Sequence, residues 1–234
     1  MHSIHPPSRS ALLPLLVLVL AALAPLGARA GSSSAIVRES VREIDGGGGR
    51  VASFWWLPQE YWEQVAKELA IPAEEQAKVR AAFRDYLLVG AFEFELSTEK
   101  QPEFATIAEI SKRATFYRDG EKVEVLREVN PELARLAPSL VYLLRASLAG
   151  LGEGLRLLPL SNVDSKGKPI LAGGAPGELR LEYRFDEKSP AQAVYWRAPL
   201  TSIAGVKKCP SGGESLEASF EFCPWHGVRV EPKP

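Results

Sequence analysis

The residues best suited to chemistry are two cysteines and one histidine near the C-terminus. Cys209 and Cys223 are the only cysteines among 234 residues, and His226 is the only histidine beyond residue 5. Each cysteine opens the same short pattern, Cys-Pro-x-x-Gly, once at 209–213 and again at 223–227. Thiolate and imidazole groups bind metal ions, and two thiols can instead pair as a disulfide. The pattern alone leaves both chemistries open.

This pair of patterns resembles a zinc ribbon over about 20 residues. A zinc ribbon joins two Cys-Pro-x-Cys-Gly knuckles so that four ligands surround a tetrahedral zinc ion. Through the resemblance, Cys209 and Cys223 correspond to the first ligands of the two knuckles and His226 to a second ligand, whereas Gly212 stands where the fourth ligand should be. The resemblance therefore implies a structural zinc site that a carboxylate or water must complete. The rest of the chain carries no comparable resemblance.

The preferred interpretation is a Cys209–Cys223 disulfide without bound metal. The first 30 residues have the character of an export signal, and two cysteines in an exported chain usually pair. Facing knuckles would also bring these two close together. Closing a loop of about 15 residues is worth about 3 kcal/mol. Structural zinc on Cys209, Cys223 and His226 remains the alternative, and no other cofactor is expected. We expect Lys207–Gly227 to fold as a two-knuckle hairpin, anchored on the main domain by Phe220, Phe222 and Trp225.

Paired glutamates offer a second candidate chemistry. Glu93 and Glu95 lie two residues apart in a predicted strand, so they share a face at a separation of about 7 Å. Carboxylates about 5–9.5 Å apart can hydrolyse glycosidic bonds. Glutamates are also common on the solvated face of a strand, and we favour this interpretation, in which the pair has no catalytic role.

Aromatic side chains are concentrated in residues 54–62. Trp55, Trp56 and Trp62 could line a groove that binds a carbohydrate or a peptide. The spacing of Tyr61 and Trp62 continues into a buried helical stripe, which favours core packing.

The order of the predicted helices and strands, which must position these residues, indicates an α+β fold. We expect mostly antiparallel sheet, two or three helices and a small C-terminal zinc-ribbon-like hairpin. Apolar residues at helical spacing predict three helices. The first follows Pro58, and the second follows Pro72 and extends as far as Gly90. The third follows Asn130-Pro131, with an interruption or kink at Pro138. Strands are predicted at 92–96, at 114–126 with a tight turn at Asp119-Gly120, at 155–160, at 178–185 and at 192–198.

The first 30 residues predict a secretory signal peptide. Arg9 precedes a 16-residue apolar run, Ala11–Leu26, and Ala28-Arg29-Ala30 fits a small-x-small cleavage site. That run is short for a bilayer core that needs about 20 residues, so no membrane span is expected after cleavage. The predicted divisions are 1–30 signal peptide, 31–50 flexible or short N-terminal segment, 51–204 main α+β domain and 205–234 zinc-ribbon-like tail.

Charge and missing motifs narrow the functional class. Arg9 and Arg29 are the only charged residues among the first 30, so the remainder carries 26 basic and 29 acidic residues, which disfavours nucleic-acid binding. No nucleophile–base pair, multi-histidine site or phosphate loop is present. The sequence favours a non-catalytic structural or interaction protein exported to the periplasm, cell envelope or medium, with an unknown partner. A secreted carboxylate hydrolase and an aromatic-lined carbohydrate or peptide binder are the alternatives, and whether the protein is an enzyme stays open.

Overall fold

A computed structural model describes residues 32–95, 102–147 and 149–230, and the predicted signal peptide lies outside these ranges. The helices in the described ranges are α1 (Ser33–Ser40), α2 (Gln59–Glu68), α3 (Ala73–Phe83), α4 (Ile107–Arg113), α5 (Pro131–Ser147) and α6 (Thr201–Ala204), with a 3-10 turn at Ala149–Gly154. The strands are β1 (Val41–Gly47), β2 (Arg50–Leu57), β3 (Tyr86–Glu95), β4 (Glu103–Phe104), β5 (Ala114–Arg118), β6 (Glu121–Val123), β7 (Arg156–Ser161), β8 (Gly177–Tyr183), β9 (Gln192–Ala198), β10 (Lys207–Lys208) and β11 (Ser215–Leu216). The predicted α+β class with antiparallel sheets is confirmed.

The first sheet is built around β3. Strand β2 pairs along one side of β3, and β7 and β4 pair in succession along the other side, all antiparallel. Residues Leu87 to Phe94 are buried on both faces, and apart from Gly90 and Glu93 they carry apolar side chains without alternation. The predicted helix reaching to Gly90 is therefore wrong: α3 ends at Phe83, and the residues from Tyr86 onward join the sheet.

The N-terminal part of the described chain belongs to this sheet. Within the segment predicted at 31–50, α1 and β1 occupy most of the residues. Strand β1 pairs with β2, and the turn between them passes through Gly47, Gly48 and Gly49, all at positive φ. Glycine adopts these backbone angles without a steric penalty, so the glycine run makes a hairpin turn instead of ending the structure.

The second sheet has the order β6-β5-β8-β9 and is also antiparallel. Leu179, Leu181 and Tyr183 are buried, whereas the residues between them are half-buried, as expected for a strand with one solvated face. The hairpin predicted at Asp119-Gly120 is confirmed, because both turn residues have positive φ, at 48° and 87°.

The hydrophobic core contains side chains from both sheets. The rings of Phe54 in β2 and Tyr183 in β8 pack edge to face with centroids 4.9 Å apart. Trp196 in β9 is fully buried, and its indole N–H donates to the carbonyl of Ser40 at the end of α1. The core therefore ties the two sheets and the first helix into one packed unit.

The helices differ from expectation mainly in number. The described ranges contain six instead of two or three, because α1, α4 and α6 have only 8, 7 and 4 residues and carry too few apolar repeats to be predicted. Helix α5 begins as predicted, since Asn130 Oδ1 accepts a hydrogen bond from the Leu133 amide at 2.8 Å. It continues through Pro138 to Ser147. No helix in the described ranges combines the length and apolar character needed to cross a bilayer.

Candidate metal centre

The two Cys-Pro-x-x-Gly segments form the same turn. The carbonyl of Cys209 accepts from the Gly213 amide at 2.9 Å, and the Cys209 amide donates to the Glu214 carbonyl at 2.9 Å. In the second segment Cys223 makes the equivalent bonds, from the Gly227 amide and to the Val228 carbonyl, both at 2.8 Å. Gly213 and Gly227 have φ of 75° and 64°, in the left-handed region that favours glycine. The repeated sequence thus produces a repeated knuckle.

The tail has a small core of its own. Cys209, Leu216, Cys223 and Val230 form a buried cluster separate from the main core, with Phe220 and Val228 packed against it. The predicted anchoring by Phe222 and Trp225 is wrong, because these side chains are 56% and 65% exposed. One link to the main fold is instead polar, from the Ala218 amide to Thr201 Oγ1 in α6.

Four potential ligands converge between the knuckles. Donor atoms of Cys209, Glu214, Cys223 and His226 all lie within 4.8 Å of one another. His226 Nδ1 lies 3.4 Å from Cys209 Sγ, 3.5 Å from Cys223 Sγ and 3.7 Å from Glu214 Oε2. The structure thus brings together all three predicted ligands and adds a fourth. This arrangement is compatible with a zinc-ribbon-like metal site.

Glu214 is a potential ligand that the sequence pattern does not reveal. Its carboxylate fills the space beside Gly212, where a Cβ on residue 212 would lie 2.2 and 2.3 Å from the two carboxylate oxygens. Gly212 is the position that lacks a ligand in the comparison with a zinc ribbon. The glycine therefore leaves room for a carboxylate from two residues further along the chain. The zinc-ribbon resemblance already requires a carboxylate or water as the fourth ligand. Glu214 directly follows the first knuckle, and this position could have identified it.

No disulfide joins Cys209 and Cys223, so the preferred sequence interpretation is wrong for this structure. Both thiols are free and buried, with exposures of 3% and 1%. Each sulfur lies near the same histidine nitrogen, so the two thiols are spaced as neighbouring ligands and are not bonded to each other. The geometry matches the alternative that the sequence left open.

The predicted glutamate pair does not share a solvated face. Glu95 is exposed, but Glu93 is only 5% exposed and accepts hydrogen bonds from three side chains. Arg50 Nη2 lies 3.1 Å and Arg113 Nη1 2.6 Å from the carboxylate, and the Tyr183 hydroxyl donates to it. Burial and the neighbouring Glu93 charge raise the pKa of Tyr183 well above its usual range. The carboxylate is held between partners from β2, α4 and β8.

The tryptophans proposed as binding residues belong to the core. Trp55, Trp56 and Trp62 are 4%, 0% and 3% exposed. The ring of Trp62 stacks on Phe83 with centroids 5.1 Å apart and an interplanar angle of 3°. These side chains therefore offer no exposed surface on which a sugar ring or a peptide could stack.

Comparisons with known proteins found no relative of this chain. No protein-family model, no curated protein and no solved structure matches the chain.

Proposed function

We propose that the C-terminal tail is a structural zinc site in which Cys209, Glu214, Cys223 and His226 bind one ion. The observation that supports this most directly is Glu214 Oε2, which is buried and has no hydrogen-bond partner among the described residues. A buried carboxylate oxygen without a donor is costly unless a cation neutralises it. Two thiols and an imidazole beside it complete a donor set that suits zinc.

The number of ligands favours a structural role over a catalytic one. A structural zinc ion is held by four protein ligands, whereas a catalytic zinc ion keeps one position for water or substrate. Here four donors come from a single short segment: Cys209 from the first knuckle, Glu214 directly after it, and Cys223 and His226 from the second knuckle. The tail core has only four buried side chains, which is little apolar surface for a stable fold. Metal binding would supply the missing folding free energy.

The wider role that we propose is a non-catalytic structural or interaction protein outside the cytoplasm. The sequence of residues 1–30 supports export, and the near balance of charge argues against a nucleic-acid partner. Exposed Phe222 and Trp225 on the tail supply aromatic surface of the kind that is enriched at protein interfaces. In this role the zinc ion would fix the shape of the tail that carries those two side chains.

Zinc binding by the reduced protein tests the site. We expect one zinc ion per chain after metal loading under reductant and dialysis, measured by elemental analysis. Glu214→Gln and His226→Ala should each lower zinc affinity by at least about 10-fold, the loss typical even of residues that only orient a ligand. Glu221→Gln is the matched control, because Glu221 is an exposed acid of the same tail outside the cluster.

The outcomes separate the zinc proposal from its alternatives. Cobalt bound in place of zinc should show the absorption of a tetrahedral thiolate complex, and this signal should change in Glu214→Gln but not in Glu221→Gln. A fully reduced, folded chain that binds no zinc would contradict the proposal. Equal zinc affinities in the two glutamine variants would remove Glu214 from the ligand set.

A further inference from the structure

The proposed site contains only two thiols, and one comes from each knuckle. The two sulfur atoms lie within 4.8 Å of each other, and the chain has no third cysteine. A disulfide within one knuckle is therefore impossible in this chain. The only intramolecular disulfide available joins the two knuckles through the same atoms that would bind zinc.

Resting on the proposed zinc site, we infer that the tail is a redox-sensitive switch between a zinc-bound dithiolate and a Cys209–Cys223 disulfide. The oxidant that we consider is hydrogen peroxide. One thiolate sulfur attacks a peroxide oxygen, the O–O bond breaks, and hydroxide leaves as the cysteine becomes a sulfenic acid. The second thiolate attacks that sulfur, forms the S–S bond and displaces a second hydroxide. The two sulfurs lose two electrons in total, peroxide gains them, and two protons from solvent convert the hydroxides to water.

The two states exclude each other because they use the same sulfur atoms. Zinc binds thiolates, and a disulfide has none to offer. After oxidation only His226 and Glu214 remain, too few protein ligands for a structural zinc site. We therefore expect each disulfide formed to release one zinc ion to solvent.

The burial of the ligands indicates which of them controls the reaction. Cys209 and Cys223 are 3% and 1% exposed, whereas the side chains of Glu214 and His226 are each 39% exposed. Glu214 Oε2 itself is buried, but other atoms of these two side chains face solvent, so they form the outer side of the cluster. An oxidant gains access to sulfur after one of these outer ligands dissociates. Zinc should accordingly protect the thiols, and weakening Glu214 should remove part of that protection.

The switch also reconciles the disulfide predicted from the sequence with the free thiols of the structure. The disulfide expected for an exported chain and the free thiols of the structure become alternative states of one segment. Both states link the first knuckle to the second, so the tail can stay closed while it exchanges a metal ion for a covalent bond. Bound zinc protects the thiolates, so the disulfide forms where an oxidant competes successfully with the metal.

The experiment treats the zinc-loaded, full-length protein with one equivalent of hydrogen peroxide under anaerobic conditions. We expect one zinc ion released per two thiols lost, followed with a chromogenic chelator and a thiol reagent. Peptide mapping should find Cys209 linked to Cys223 within one chain, and reductant with added zinc should restore the starting state. Glu214→Gln, which keeps both thiols, should oxidise at least about 10-fold faster, and Glu221→Gln should match the unsubstituted protein.

Other outcomes overturn one proposal or the other. If the reduced chain binds no zinc, the proposed function fails whatever peroxide does to the thiols. If zinc binds but oxidation gives sulfinic acid or a disulfide between two chains, only the switch is overturned. Zinc retained after both thiols are lost would also overturn the switch, because the metal and the disulfide could then coexist.

Discussion

Glu93 shows how a single residue can connect several elements of this fold. Its carboxylate accepts hydrogen bonds from Arg50 in β2, from Arg113 at the end of α4 and from the Tyr183 hydroxyl in β8. The glutamate side chain is 6% exposed and the two arginine side chains are 25% and 26% exposed. Removing the negative charge would leave the partly buried Arg113 guanidinium without its carboxylate, which is the costly way to disrupt an ion pair, whereas Arg50 keeps Asp186 at 3.3 Å.

We expect Glu93→Gln to lower the free energy of unfolding by about 2–3 kcal/mol. Urea denaturation followed by circular dichroism measures this change. Glu95→Gln is the control two residues along the same strand, and its exposed side chain predicts a change within about 0.5 kcal/mol. Equal stabilities of the two variants would show that the Glu93 contacts contribute nothing net.

Gly212 and Glu214 form the residue pair that distinguishes this site from a zinc ribbon with two complete knuckles. A Cβ at position 212 would occupy the space that the Glu214 carboxylate now fills. A cysteine there would complete the pattern Cys-Pro-x-Cys-Gly, and its sulfur could replace the carboxylate as the fourth ligand.

The prediction is a rescue of zinc binding. Gly212→Cys combined with Glu214→Ala, which removes the side chain that fills this space, should recover at least about 10-fold of the zinc affinity that Glu214→Ala alone loses. Competition with a zinc-binding dye measures both affinities. Gly212→Ala with Glu214→Ala is the control, since it adds the Cβ without a donor. A double variant no better than that control would place the fourth ligand elsewhere.

At the scale of elements, the tail and the main fold depend on different forces. The main core is a large apolar cluster that joins both sheets, whereas the tail core consists of Cys209, Leu216, Cys223 and Val230. Strands β10 and β11 are only two residues each. We therefore expect zinc to hold the tail closed while the main fold stays folded without metal.

Limited proteolysis after zinc removal tests this division. In the reduced protein, a chelator should speed trypsin cleavage after Lys208, in the tail, by at least about 10-fold, because proteolysis follows the population of the opened state. Cleavage after Arg180, in the middle of β8, should not change. Identical cleavage of the tail with and without chelator would contradict a structural role for the metal.

At the scale of the whole molecule, the N-terminal sequence predicts that the protein is exported from the cytoplasm. Arg9, the apolar run Ala11–Leu26 and the sequence Ala28-Arg29-Ala30 together fit a cleaved secretory signal. Material recovered outside the cytoplasm should begin at Gly31 by N-terminal sequencing. A control that carries Ala28→Arg and Ala30→Arg should accumulate uncleaved, because the small residues at the cleavage site are lost. Recovery of the unsubstituted protein only as an uncleaved, membrane-bound chain would contradict the prediction.

Several local features could be predicted from the sequence because neighbouring residues determine them. The two knuckles follow from the spacing of cysteine, proline and glycine, and their backbone hydrogen bonds span only four or five residues. The Asp119-Gly120 turn and the Asn130 cap are local in the same sense. Three of the four clustered donor residues were identified because they lie within these knuckles.

Features that depend on distant parts of the chain were decided only by the tertiary structure. Glu93 is buried because Arg50, Arg113 and Tyr183 come from elements far apart in sequence, and no spacing predicts that convergence. Residues 86–90 form a strand because β2 and β7 flank them, although their apolar spacing also suits a helix. Glu214 joins the cluster because the second knuckle brings Cys223 and His226 close to its carboxylate. Turn chemistry acts over a few residues and can be predicted from sequence, whereas burial and ligand convergence arise only when distant segments pack together.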